Sequence, residues 1–211
     1  MSDPRKMYYT KRAAVAVKNL QGRGFEAYYC ETREEALDKA LELIPKGATV
    51  GWGGAMSAQQ IGLLDAVKNG EYNAIDRDKA PNPAAREQAM RDCLLADVFI
   101  TGANALSIEG QMVNIDGIGN RVAAIVYGPK NVVVIAGMNK MTDSLEDAVT
   151  RARTVAAPIN SQRFALKTPC SVTGACGNCK AEGICNQMLI TRNCKPAGRI
   201  KVILVGEELG F

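Results

Sequence analysis

Histidine is missing from all 211 residues. Any catalytic base must therefore be a carboxylate, lysine, thiolate or tyrosine, and histidine-ligated metal sites are excluded. Aromatic residues are sparse at 5%, with Trp52 the single tryptophan, so no aromatic platform for stacking bases is interleaved with the basic residues. No apolar run is long enough to span a bilayer, and the amino-terminal stretch MSDPRKMYYTKRAAVAVKNL alternates charge with small apolar residues instead of building a signal-peptide core. These absences lead us to expect a cytoplasmic protein with neither membrane nor nucleic acid as partner.

What the chain does have is 47% hydrophobic and 23% charged residues, enough to bury one substantial core with an appendage. Helical and strand signals alternate. An alanine-rich helix over 6–20 is followed by a strand over 25–30, and Thr32 with Glu35 makes a capping box that opens a helix ending before Pro45. A short strand over 49–51 runs into GWGGAMSAQQIGLL, where Ser57 and Gln60 have the spacing of another capping box. Buried-type strands follow over 97–101 and 131–136, then a last strand over 199–205. This alternation predicts an α/β fold, a doubly wound and mainly parallel sheet. The pattern breaks between Pro158 and Gly198. We therefore divide the chain into an α/β ligand-binding core (1–160), a Cys-rich metal-binding insertion (161–198) and a final strand returning to the core (199–211).

The segment between the two central strands crowds glycine, asparagine and aspartate at almost every turn, a composition costly to order unless it binds something. Side chains at the carboxyl ends of strands in such a sheet face the ligand crevice, which would be lined by Thr101, Gly102 and Asn104. The glycine loop before Ser57 adds backbone N–H groups suited to a phosphate or carboxylate. The candidate ligand contacts are Gly53, Gly54, Ser57, Asn104, Asn120 and Lys140, with Lys130 and Arg121 as further sources of charge. Trp52 reads as a core anchor or as a lid.

Residues 161–200 hold six basic side chains against Glu182 alone, so the net charge of +4 belongs to this segment, as do five of the seven cysteines. Cys170, Cys176, Cys179 and Cys185 follow a C-x5-C-x2-C-x5-C spacing that suggests metal ligands in a thiol-reducing compartment. Four thiolates suit a four-iron iron-sulfur cluster, our first choice, or zinc, and the basic neighbours would offset their charge. Cys194 is a spare ligand on this reading, and Cys30 and Cys93 are small core residues.

The stretches GWGGAMSAQQIGLLDAVKNGEYNAIDRD, TGANALSIEGQMVNIDGIGNRVAAIVYGPKNVVVIAGMNK and TPCSVTGACGNCKAEGICN together resemble the lactate-utilisation (LUD) domain family over nearly the whole chain. The resemblance implies a fold like that of ribose-phosphate isomerases, glucosamine-phosphate deaminases and coenzyme A transferases (NagB/RpiA/CoA transferase-like). It also implies a part in oxidising lactate, a 2-hydroxy acid, to pyruvate beside iron-sulfur redox partner proteins, with the four-cysteine metal centre used for electron transfer. The central stretch further resembles the GAD-x-I-x-x-x-G-x-x-x-N-K-x-G motif of sugar-phosphate isomerases. Here Asn104 stands where that motif has its aspartate, and an amide cannot be a general base. Asp116 and Glu109 are then the candidate catalytic carboxylates. The alternatives to lactate oxidation are a sugar-phosphate isomerase, a CoA transferase-like enzyme, or a non-catalytic subunit or sensor of a redox complex. A homo-oligomer is the default assembly.

Overall fold

The structure, a computed structural model, describes residues 3–180 and 182–211. Asp3 caps helix α1 (Pro4–Gly22), which leads into β1 (Glu26–Cys30). Thr32 accepts from the Glu35 amide to open α2 (Arg33–Glu42), and β2 follows at Thr49–Gly53. Two short helices, α3 (Met56–Gln60) and α4 (Leu63–Asn69), lead to β3 (Asn73–Ile75), α5 (Pro83–Asp92) and β4 (Val98–Gly102). A hairpin of β5 (Ala105–Ser107) and β6 (Met112–Asp116) comes next, then α6 (Asn120–Tyr127) and β7 (Asn131–Gly137). The chain continues through β8 (Met141–Thr142) and α7 (Leu145–Arg151), then a π-helical stretch, Ala152–Ala156, and α8 (Ala157–Ser161). It ends with α9 (Pro169–Thr173), β9 (Gln187–Thr191) and β10 (Ile200–Val205).

Six strands form one wholly parallel sheet in the order β1-β10-β7-β4-β2-β3. Its centre is buried on both faces, which is why VVVIA in β7 and VILV in β10 are continuous hydrophobic runs and do not alternate with polar residues. Alternate side chains feed two cores. Val132, Val134, Val202 and Leu204 pack with Ala13, Ala16 and Leu20 of α1 and Ala124 and Ile125 of α6. Val133, Ile135, Ile203 and Val205 pack on the other face with Ala36 and Ala40 of α2 and Ala58, Leu63 and Leu64 of α3 and α4. Trp52 is 4% exposed within this second core, so it is an anchor and not a lid.

A second sheet runs in the order β8-β5-β6-β9 around the β5–β6 hairpin. It packs Ala105, Val113 and Ile115 against Ala148, Ala152 and Ala157. Strand β9 comes from the Cys-rich segment and pairs antiparallel with β6 over five residue pairs, from Met112↔Thr191 to Asp116↔Gln187. That segment is thereby sewn to the rest of the protein by backbone hydrogen bonds.

The expectation of a metal-binding insertion is corrected. Among the described residues no group of three or more histidine, cysteine, aspartate or glutamate side chains could hold a metal ion. Cys170 sits on the single turn of α9, which Gly174 ends in a left-handed conformation, while Cys176 and Cys185 are exposed. The four thiols do not converge on one centre. With no gathered ligand set, neither the iron-sulfur cluster nor the zinc alternative has a carrier among the described residues. The same holds for electron transfer, for an iron-sulfur redox partner and for the lactate-oxidation reading built on them. Cys30, Cys93 and Cys194 are buried. Among the described residues no helix is long and apolar enough to cross a membrane.

Candidate functional site

The sheet order puts β2 and β4 side by side although their following connections diverge. From β2 the chain passes through α3 and α4 on one face and on to the edge strand β3. From β4 it passes through α6 on the other face and on to β7. That divergence is a topological switch point, and the crevice beyond the carboxyl ends of such strands is where ligands bind in open α/β sheets. Thr101 closes its floor, its hydroxyl donating to the Gly53 carbonyl at 3.1 Å.

Three cationic side chains converge here. Arg121, from the first turn of α6, pairs with Asp116 through Nε at 3.4 Å, with both side chains almost fully buried. Its Nη2 donates to Asn104 Oδ1 at 3.0 Å and to the Ile115 carbonyl. Arg151 donates to the main-chain oxygens of Asn139, at 3.2 Å, and Asn104. Lys140 is 4% exposed, and its ammonium bonds to Ser57 Oγ at 3.0 Å. Burial pushes the Lys140 pKa down to about 7, helped by Arg151 and then Arg121. Burial likewise lowers Arg121, against the pull of Asp116, and lowers Arg151. Among the described residues neither Lys140 nor Arg151 pairs with a carboxylate, so two buried cations and the half-buried Arg151 lie around one anion. The Asn114 amide, on β6, donates to the Gly102 carbonyl at 2.9 Å, while its buried Oδ1 has no partner among the described residues.

The glycines serve the cluster differently from the expected ligand cradle. A side chain at Gly54, where φ is +57°, would meet the Arg121 guanidinium at 3.1 Å, and one at Gly53 would meet Phe99 at 3.1 Å and Arg121 at 3.5 Å. The space is thus taken by the protein's own cation. Gly51 instead makes room for Cys93, whose sulfur lies 2.5 Å from where a β-carbon would be. Ser57 and Gln60 do not form a capping box either. α3 begins at Met56 with no side-chain cap. The Ser57 hydroxyl donates to the Leu209 carbonyl at 3.3 Å, and Gln60 Oε1 accepts from the Gly210 amide at 2.6 Å.

Of the residues singled out from sequence, Gly53, Gly54, Asn104, Asp116, Ser57 and Lys140 lie at or just beyond the carboxyl ends of β2, β4, β6 and β7, in the cluster around Arg121 and Lys140. Asn120 is half-buried at the start of α6. Glu109 is not among them. It is exposed on the turn of the β5–β6 hairpin, where its carbonyl accepts from Arg23 Nε at 2.6 Å and the next residue, Gly110, packs on Asn19 near the end of α1. Lys130 is exposed on the turn before β7, at the amino ends of the parallel strands and so away from this cluster. Arg151 was missed, because nothing in an exposed-looking helix terminus announces that its side chain turns inward.

The chain belongs to the LUD domain family, whose model matches residues 13–205. It is similar to a DUF162 family protein from Deinococcus radiodurans, at 13% identity and a TM-score of 0.55, covering 93% of this chain and 98% of that one. This likeness establishes a shared fold. Weaker likenesses are to ribose 5-phosphate isomerase A from Neisseria gonorrhoeae, at 18% identity and a TM-score of 0.34 over 54% of each chain, and to eIF2B delta from Chaetomium thermophilum. The latter has 15% identity and a TM-score of 0.36, over 68% of this chain and 54% of that one. No curated protein matches the sequence significantly.

Proposed function

We propose that the switch-point crevice binds the phosphate or carboxylate of a small substrate and that the chain is an enzyme of the sugar-phosphate isomerase kind. The observation that carries this reading is the charge imbalance: Arg121, Lys140 and Arg151 are drawn together with Asp116 as their one carboxylate. A buried cation without a counter-charge is expensive, and a bound anion relieves that cost. Among the described residues the Lys140 ammonium makes one hydrogen bond, leaving two donors for the ligand when it is protonated. The coenzyme A transferase alternative needs a carboxylate nucleophile at the crevice, and Glu109, on the hairpin turn, does not reach it. Asp116 is left as the carboxylate to move a proton, with Arg121 holding it in position.

The test is exchange of the substrate's α-hydrogen with solvent deuterium, followed by proton NMR over a panel of aldose and ketose phosphates. Exchange with at least one of them, falling about 100-fold or more in Asp116→Asn, is the expected result, since a positioned base contributes at that scale. Inorganic phosphate bound by a protein that exchanges none of the panel would leave the ligand reading standing and remove the isomerase.

A further inference from the structure

Lys140 is more than a charge. It follows the carboxyl end of β7 in a helical turn, Met138–Lys140, and its amine is held beneath the segment Leu209–Gly210. A β-carbon at Gly210 would come within 2.8 Å of Nζ and 2.9 Å of Ser57 Oγ, so this glycine, at φ +60°, marks where backbone lies directly over the amine. The charged groups facing it are Arg151 from α7 and Arg121 from α6, the latter paired with Asp116. An amine buried without a carboxylate, next to a hydroxyl and two guanidinium groups, has the surroundings of a nucleophile.

We infer that Lys140 forms an imine with the carbonyl carbon of an aldehyde or ketone that also carries a phosphate or carboxylate group. In the first step neutral Nζ attacks the carbonyl carbon, a C–N bond forms, and the carbonyl oxygen takes up a proton. The proton taken up in the first step comes from Nζ; in the second, the carbinolamine hydroxyl takes a further proton from solvent and leaves as water while the nitrogen lone pair forms the C=N bond, giving the protonated imine. Ser57, 3.0 Å from Nζ, relays the protons. The anionic group of the substrate lies against Arg151 and Arg121, and the iminium acidifies the neighbouring C–H for removal by Asp116. The inference rests on the anion-binding crevice proposed above and gives its substrate class. A Lys140 pKa near 7 leaves a large neutral fraction at neutral pH, unlike a solvated lysine.

The experiment treats the whole protein with glyoxylate, a carboxylated aldehyde, plus cyanoborohydride to reduce any imine to a stable secondary amine. Modified lysines are then mapped by peptide mass spectrometry, with acetaldehyde as the uncharged comparison and inorganic phosphate as competitor. The expected result is modification of Lys140 at least 10-fold faster with glyoxylate than with acetaldehyde, a rate half-maximal near pH 7, suppression by phosphate, and slowing in Ser57→Ala. Surface lysines modified while Lys140 stays free would overturn the imine, and phosphate binding measured by calorimetry in the same sample would show that the anion reading survives. Equal rates with glyoxylate and acetaldehyde, or no effect of phosphate, would overturn the anionic substrate class.

Discussion

A lysine amine that is buried without a carboxylate is harder to keep charged than an exposed one, and this difference is readable as stability. The Lys140 pKa falls from 10.5 to about 7 on folding. Between those values the unfolded chain binds a proton that the folded chain has released, so stability rises with pH across that window. Below pH 7 both states hold the proton and the folded protein bears the full cost of the buried charge. At 1.36 kcal/mol per unit, the shift corresponds to about 4–5 kcal/mol. Lys140→Met keeps the volume and removes the charge. We expect it to stabilise the protein at pH 6 by several kcal/mol in urea unfolding, with the gain shrinking steadily as pH approaches 10. A constant gain across that range would mean that Lys140 is solvated. The sequence made Lys140 visible as a basic residue beside glycine-rich loops. It could not show the burial, which depends on Leu209 and Gly210, about seventy residues downstream.

Among the elements, the least legible from sequence is the closing segment after β10. Leu209 is 1% exposed, its amide donates to Asn139 Oδ1 at 3.1 Å, and the amide of Gly210 donates to Gln60. Ser57 and Gln60 have capping-box spacing, yet both side chains are used across the fold to hold this segment. Local pattern reads local partners, and here the partners are about 150 residues apart. Helix α2 had no such competitor: Thr32 accepts from the Glu35 amide as its spacing suggests, although the Glu35 carboxylate reaches one residue further back, to the Glu31 amide at 2.8 Å. Gln60→Ala removes an acceptor from the closing segment. It should cost about 1 kcal/mol of stability and accelerate glyoxylate modification of Lys140 several-fold. An unchanged labelling rate would show that the segment does not control access to the amine. Gly54→Ala should cost more, about 2 kcal/mol, because φ is +57° and the added carbon meets Arg121. Denaturant unfolding would measure it.

At the scale of the molecule, the parallel sheet was legible because its central strands are continuous apolar runs bounded by helices. The four-stranded sheet was not. Its strand β9 is largely exposed and lies about seventy residues after β6 in sequence, so neither composition nor neighbourhood marks it. The cysteine spacing read as a ligand set because spacing carries no information on convergence, and two of the four sulfurs are on the surface. Serine at Cys176 and Cys185 together should change stability by no more than about 0.5 kcal/mol, as for other exposed positions, and leave phosphate affinity unaltered in calorimetry. A loss of several kcal/mol would show that these thiols hold the segment together.

The central claim is that the buried Arg121 and Lys140, with the half-buried Arg151 and a single carboxylate beside them, await an anion. Calorimetric titration of inorganic phosphate into the wild-type protein and into Lys140→Met tests it most directly. Hydrogen bonds to a charged group contribute about 1.5–3 kcal/mol, so the account predicts saturable binding by the wild type and an affinity weakened about 10-fold or more in the variant. Absence of heat in the wild type, or equal affinity in both proteins, would contradict it.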